Sequence, residues 1–397
     1  MNGSWAGADI QRSLSGDVPL YLIHRSVQQN QRVPEVMSEI AKANGDRLGL
    51  GVIARLPAMT RKTAESFAVE TSNIPVRILD PDLYLHRAWG WHDAPEAKSR
   101  WRDWKYFDSR PERVSSSWVK TVLDEQRGLN ASVLLSASGW VPEANGQRAL
   151  QDTLNWVRES RQQAGDSRLW VNLTFDSAWL SNRTLRNFLI EEIVESNEPD
   201  WYLRFWWPEV SPRYGQLTDE SIVRGYLELA YECDNEGKRL YLPNSGLTGW
   251  LLSAKGSAGF STGTAWGEQA FARQRKMGRQ PGSQTPPRIP RLFDPRVLHT
   301  LQYLEYERLD ELARHSEPDS VYLQEVRESG HTPELAGLHY LAVVGDLTAK
   351  LNARNPQNAA ARLVRQGLDF MGSLNTVDTL QGPNMPVHLG LWDEVLR

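Results

Sequence analysis

Through the first two-thirds of the chain, short apolar runs alternate with stretches whose apolar residues recur every three or four positions. The runs cover 18–24 (VPLYLIH), 48–56, 75–80, 131–138, 168–175, 201–207, 238–245 and 258–263. Amphipathic stretches separate them at 33–44, 60–71, 114–128, 147–165, 181–196 and 217–237, with a short TGWLLSAKG before the last run. A period of two marks a strand and one of 3.6 a helix. Strands alternating with helices predict parallel β/α units. Eight of them, ending shortly after residue 250, predict a parallel (β/α)8 TIM-type barrel of the usual length of about 250 residues. The rival is an open, doubly wound sheet, but VPLYLIHRSVQQ lacks the glycine-rich turn expected after its first strand.

Alternation also sorts the faces. In the fifth run, Leu169, Val171, Leu173 and Phe175 share the side that suits a helix layer, leaving Asn172, Thr174 and Asp176 to point into the barrel. In the sixth, Leu203, Phe205 and Trp207 oppose Tyr202, Arg204 and Trp206. Barrel strands buried on both faces are mostly apolar. Inward polar residues near strand ends therefore satisfy one another or meet a ligand at the C-terminal face.

Two segments break the rhythm. Residues 81–110 form a long insertion between the third strand and its helix, of the length expected for a lid or binding loop. Residues 271–296 are rich in Pro, Gly and Arg and read as a basic linker. Helical patterns follow at 295–315, 332–354 and 358–374. The expected organisation is a barrel over 1–270, the linker over 271–296 and a helical C-terminal region over 297–397.

Composition changes this picture little. The chain is 40% hydrophobic and 24% charged, as ordinary soluble proteins are, and its net charge of -4 argues against a globally basic nucleic-acid coat. Cys233 is the one cysteine, which excludes a disulfide framework and multi-cysteine metal sites. No stretch approaches about 18 apolar residues, and MNGSWAGADIQRSLSGD has no apolar signal core, so the expectation is a cytoplasmic protein with no membrane partner. Sixteen tryptophans, clustered at 89–104 and at Trp206, Trp207, Trp250 and Trp266, suit a barrel core and an aromatic-lined cleft equally.

Candidate chemistry concentrates at strand ends. The stretch 241–267 (YLPNSGLTGWLLSAKGSAGFSTGTAWG) reads as strand, glycine loop, short helix, strand and glycine loop. Its donors are Asn244, Ser245, Gly246, Ser261, Thr262, Gly263 and Thr264; free N–H groups at such loops attract an anion. In arrangement, over some 27 residues, it resembles the phosphate-gripping half of flavin- and sugar-phosphate-binding barrels. Gly and Ser also serve ordinary tight turns. The resemblance implies a phosphate-bearing ligand, with no cofactor required.

Asp80, Asp82, Asp176, Glu209 and Glu268 follow the third, fifth, sixth and eighth strands, and a barrel brings those ends to one rim. Two such carboxyls can act as acid and base, or as nucleophile and acid, in glycosyl chemistry. Each can instead pair with Arg55, Arg77 or Arg204, or cap a helix. The common retaining-glycosidase barrel places its acids after strands four and seven, where this chain reads LLSASGW and YLPNSG. His24, Arg55, Asn172, Arg204 and Trp206 complete the candidate ligand set. His-x-His is missing after the first strand, which reads LIHRS, so no metal site is expected.

The linker segment from Arg273 to Arg296 carries seven Arg or Lys against Asp294 alone. Arg273, Arg275, Lys276 and Arg279 could hold a phosphate backbone while rim aromatics stack on a base, or could line a solvated hinge. GLHYLAVVGDLTAKL is similar to the C-terminal helix of tRNA-guanine transglycosylases. The chain departs from that family in lacking its cysteine-rich zinc site and an aspartate in AGFSTGTAWG, so membership does not follow.

Three functions fit. The first is an enzyme, of transferase or glycosyl type, taking a phosphorylated small molecule or nucleotide at the rim, with acid–base or glycosyl-transfer work by Asp80, Asp82, Asp176 or Glu209. The second is a base-modifying enzyme whose partner is nucleic acid. The third is a non-catalytic barrel scaffold whose C-terminal helices dock a protein partner or a second copy.

Overall fold

The computed structural model describes residues 10–25, 32–86, 103–107, 111–210, 216–272, 289–312 and 320–397. Nine short parallel strands carry the barrel: β1 Leu20–His24, β2 Gly49–Arg55, β3 Val76–Asp80, β4 Leu134–Leu135, β5 Trp140–Val141, β6 Leu169–Asp176, β7 Asp200–Trp206, β8 Arg239–Leu242 and β9 Gly259–Thr262. They pair in the order β3-β2-β1-β9-β8-β7-β6-β4, with β5 also on β6, and a parallel bridge from Ile78 to Val133 joins the two ends. The fourth expected strand is thus two fragments, β4 and β5, either side of SASG. The fold is a parallel (β/α)8 barrel with additional helices at its C-terminal end.

The helices that follow β1 to β8 include α2 Val33–Asn44, α3 Arg61–Glu70, α4 Ser116–Gly128, α5 Gly146–Ala164, α7 Arg183–Glu195, α8 Glu220–Asn235 and the short α9 Gly246–Ser253; α1 is Ile10–Ser13 and α6 Ala178–Ser181. Side-chain caps start several of them: Thr60, Ser115, Asn182 and Asp219 accept backbone N–H groups of α3, α4, α7 and α8. After β9 come α10 Trp266–Gln269, the hairpin β10 Arg291–Asp294 with β11 His299–Gln302, and helices α11 Tyr303–Leu312, α12 Val321–Ser329, α13 Pro333–Ala349, α14 Pro356–Ser373 and α15 His388–Leu396.

The expected linker therefore ends in a strand. Leu292 and Phe293 alternate, one into a satellite cluster of the C-terminal region and one into the main core, which anchors 291–294. The expected boundary at 270 also falls inside one packing unit, because α13 lies where the eighth barrel helix belongs. Tyr21 of β1 donates to Leu341 O, the Thr262 hydroxyl of β9 bonds the Tyr340 hydroxyl, and Trp250 of α9 donates to Leu347 O. Asn44 at the end of α2 donates to Asp346. A Cβ on Gly345 would stand 2.8 Å from the Ile40 side chain, so α13 packs closely on α2 at this glycine. The insertion's tail is anchored as well: Trp104, Tyr106 and Phe107 are buried, and Trp104 donates to Met59 O.

The barrel interior is apolar up to its last layer. Leu14, just after α1, enters from the floor beneath Leu20, Leu22, Ile53, Val76, Ile78, Val133, Leu135, Trp170, Tyr202 and Tyr241, with the Trp170 and Tyr241 rings stacked at 3.8 Å. Leu169, Val171, Leu173, Phe175, Leu203, Phe205 and Trp207 face the helix layer. The layer above the apolar filling is polar and charged, and it lies at the C-terminal ends of the strands.

Candidate active site

Inward positions at the strand ends fall on His24 of β1, Arg55 of β2, Asp80 of β3, Asn172 and Thr174 of β6 and Arg204 of β7. Hydrogen bonds connect most of them into one network. Arg204 pairs with Asp80 through Nη2, gives Nε to Asn244 Oδ1 at 3.1 Å and reaches Thr174 Oγ1 at 3.4 Å. Asp80 accepts from the Asp82 backbone N–H at 2.8 Å and from the Tyr202 hydroxyl at 3.3 Å. Arg55 gives Nε to Asp82 at 2.7 Å and Nη2 to the Tyr84 hydroxyl at 3.1 Å. On the other side, Ser261 Oγ accepts the Asn244 N–H at 2.7 Å and bonds His24 Nε2 at 2.7 Å. The His24–Ser261 bond carries one proton, donated by the hydroxyl or by Nε2 according to the imidazole tautomer.

Burial divides this network. Asp80, Asp82 and Arg204 are at most 1% exposed, while the Arg55 side chain is 27% exposed. Three rings enclose the Arg204 guanidinium, at 4.7 Å (Tyr84), 5.5 Å (Tyr202) and 5.6 Å (Phe271). Burial, with Arg55 and Arg204 nearby, holds the His24 pKa well below the usual imidazole range, so the ring is neutral. Burial also pushes the Asp82 carboxyl up to about 6, opposed by Arg55 and reinforced by Asp80. Asp82 Oδ1 and His24 Nδ1 are buried without a hydrogen-bond partner among the described residues.

Backbone strain marks the same place. Asp82 has φ 49 and Asn244 φ 55, both left-handed, and each holds one of the two arginines. Asp and Asn tolerate this region better than other non-glycine residues, at a conformational cost that recurs at functional sites.

Of the residues predicted from strand ends, the network joins His24, Arg55, Asp80, Asp82, Arg204, Asn244 and Ser261. Asp176 is half-buried and accepts the Ala178 N–H, closing the turn into α6. Glu209 is exposed and makes none of these bonds. Asn172 is buried and faces inward; Trp206 is half-buried and meets Trp140 edge to face at 6.2 Å. Thr262 faces the helix layer, where Tyr340 takes its hydroxyl. Ser245 turns back onto Leu242 O, and at Gly246 (φ 52) a Cβ would stand 2.5 Å from Gln269 O, so both close the loop. Gly263 makes room for Glu268, whose Oε2 accepts the Ala265 N–H at 3.0 Å. The proposed nucleic-acid contacts Arg273, Arg275, Lys276 and Arg279 lie outside the described residues.

Tyr84, Tyr202, Phe271 and Glu268 complete the site. Burial pushes the Glu268 carboxyl up to about 7 against the Ala265 N–H, the charge of Arg55 and the Thr264 N–H. Strand parity pointed Tyr202 inward, and Glu268 stood among the rim acids. Tyr84 and Phe271 have no periodicity signal, because each sits beyond a strand end.

Fold and site together define a (β/α)8 barrel with an ionised, partly open network at its C-terminal face. No family model matches the chain, and no curated protein is similar to it. Among solved structures it is similar to a protein assigned as a fructose-1,6-biphosphate aldolase from Coccidioides immitis. That match has 11% identity, covers 87% of this chain and 95% of the other, and has a TM-score of 0.37. It is also similar to xylanase 10B from Thermotoga maritima, at 12% identity over 66% of this chain and 89% of that one, with a TM-score of 0.33. Likeness at this level carries no argument about ligand or reaction. Among the described residues, no helix is long and apolar enough to cross a membrane, and no three His, Cys, Asp or Glu side chains group to hold a metal ion.

Proposed function

We propose that the chain is an enzyme acting by acid–base chemistry on a phosphorylated, nucleotide-like substrate at the barrel rim. The observation that carries this reading is Asp82: buried, on strained backbone, with one free carboxyl oxygen and a pKa near 6, against the one partly open arginine of the network. A carboxyl titrating near neutrality exchanges a proton without a large driving-force penalty. Arg55 supplies the positive charge that an anionic substrate group requires. Trp140 and Trp206 supply flat apolar surface for a ring. Glu268, pushed up to about 7, is the second carboxyl, and glycosyl transfer is the chemistry that uses two carboxyls in this way.

Calorimetric titration with nucleoside monophosphates and with inorganic phosphate tests the reading. Binding of a mononucleotide in preference to phosphate, lost in Arg55→Gln and kept in Asp82→Asn, is the expected result. No mononucleotide binding at millimolar concentration refutes it. Displacement of the mononucleotide by single-stranded RNA, with a steep salt dependence, would move the reading to a nucleic-acid substrate.

A further inference from the structure

The opposite end of the barrel carries a cleft separate from the rim. Its walls are the loops that enter β1, β8 and β9, together with the turn 351–357 between α13 and α14. The cleft holds about 630 Å3, a volume in the range of small-molecule sites. Lys238, Arg239, Lys255 and Arg354 line it against the carboxylates Asp17 and Asp234.

Two of these cations are already engaged. Arg239 pairs with Asp200 at 2.5 Å, and the Lys238 ammonium donates to Ser196 O. The side chains of Lys255 and Arg354 have neither an ion pair nor a hydrogen bond among the described residues. Lys255 is also partly buried, and burial lowers its pKa with no carboxylate to oppose it. Arg77 is another half-buried cation without a carboxylate partner, but its guanidinium donates to the carbonyl oxygens of Ser72, Ile74 and Asn130. The half-buried Arg161, Arg168 and Arg186 are neutralised by Glu198, Asp200 and Glu228. Taking a cation partly out of water without a counter-charge is unfavourable, and an anion bound between the two removes that cost.

The chemistry of the lining narrows the anion. Phosphate offers several strong acceptor oxygens, enough for an ammonium and a guanidinium at once. The side-chain amides of Asn352, Asn355 and Gln357 also line the cleft, although the Asn355 oxygen caps α14 and the Gln357 amide donates to Leu396 O. Asp17 and Asp234 are acceptors that suit the hydroxyl groups of a sugar.

We propose that this cleft is a second ligand site, taking a small sugar phosphate whose phosphate bridges Lys255 and Arg354. A ligand there ties the 351–357 turn to the barrel floor, and α13 on one side of that turn is the eighth barrel helix. Occupancy therefore stabilises the closure of the barrel without touching the rim.

The test uses ribose 5-phosphate and the full chain. The Lys255→Gln/Arg354→Gln variant changes one exposed and one partly buried side chain, neither holding a structural bond. Calorimetry should show binding to the wild-type chain that weakens at least tenfold, about 1.4 kcal/mol, in the double variant. Hydrogen exchange of the wild-type chain should slow at 253–258 and 351–357 on adding the sugar phosphate. Unchanged affinity in the double variant, no binding at millimolar concentration, or slowing confined to the rim residues 80–86 would each overturn the proposal. The exchange measurement needs no variant, so a folding defect in the double variant leaves the test intact.

Discussion

Replacing Arg204 with Met removes the positive charge at the centre of the rim network while keeping a long apolar side chain among Tyr84, Tyr202 and Phe271. The arginine is 1% exposed and its partner Asp80 is 0% exposed, so solvent cannot take over the lost interaction. Asp80 keeps the Asp82 N–H and the Tyr202 hydroxyl as donors, but neither carries a charge. Asn244 Oδ1 also loses its Nε donor. Breaking a buried ion pair from one side typically costs about 3–5 kcal/mol, because the remaining charge stays buried and uncompensated. The expected loss for Arg204→Met falls in that range. Replacing both partners, as Asp80→Leu/Arg204→Met, removes the stranded charge and should recover about 2 kcal/mol or more relative to the sum of the single changes. Urea unfolding followed by far-ultraviolet circular dichroism measures all three variants, with an unchanged denaturant slope confirming that midpoints report stability. An Arg204→Met loss below about 1 kcal/mol, or a double variant as unstable as the two losses added, would refute the view that this pair is a desolvated, mutually dependent unit.

Three further outcomes follow from the structure. Asp82 has a folded pKa of about 6 against an ordinary value of 3.8, so the folded chain binds that proton more tightly. Its contribution is fully present below pH 3.8 and is lost as pH rises through about 6, a span of order 3 kcal/mol. Asp82→Asn should flatten that part of the stability profile between about pH 4 and 6, and an unaltered profile contradicts the assignment. Gly345→Leu forces a side chain into the 2.8 Å gap against Ile40 and should cost at least about 1–3 kcal/mol, as overpacked cores do. Ending the chain at residue 296 should go further and abolish cooperative unfolding. A thermal scan showing a sharp transition for that fragment would mean the barrel closes without α13.

The strands were legible because each is a short run flanked by a helix-period stretch, a pattern that survives without any tertiary information. Faces were legible for the same reason: Leu169, Val171, Leu173 and Phe175 do lie on the helix side, and Trp170 and Tyr202 do fill the barrel. The eighth helix was not legible. Periodicity supplies neighbours in sequence, and α13 starts at Pro333, long after β9 ends at Thr262. Among the described residues the chain between them holds a hairpin and three other helices, so only packing against Tyr21, Ile40 and Trp250 identifies the one that closes the barrel. Thr262 shows the opposite failure. Parity alone puts Ser261 and Gly263 inward and Thr262 outward, so its place in the ligand set followed from residue type where strand geometry excluded it.

Neutralising buried charge and the substrate binding proposed above fall to different halves of this network. Arg204, Asp80 and Asn244 form its inner half, buried and mutually bonded, and they meet the requirement that buried charge be paired. Arg55 and Asp82 form the outer half, where one side chain keeps 27% of its surface and the other keeps a free oxygen. The halves are joined by the backbone hydrogen bond from Asp82 N–H to Asp80, made at the left-handed turn of Asp82, and by Tyr84, which accepts from Arg55 and lies against the Arg204 guanidinium. Straightening that turn would relieve its strain and detach Asp82 from Asp80, yet the protein keeps it. The Asp80 carboxylate, itself held by Arg204, accepts the Asp82 N–H and so sets the Asp82 carboxyl beside Arg55, the arrangement on which the proposed acid–base reading rests.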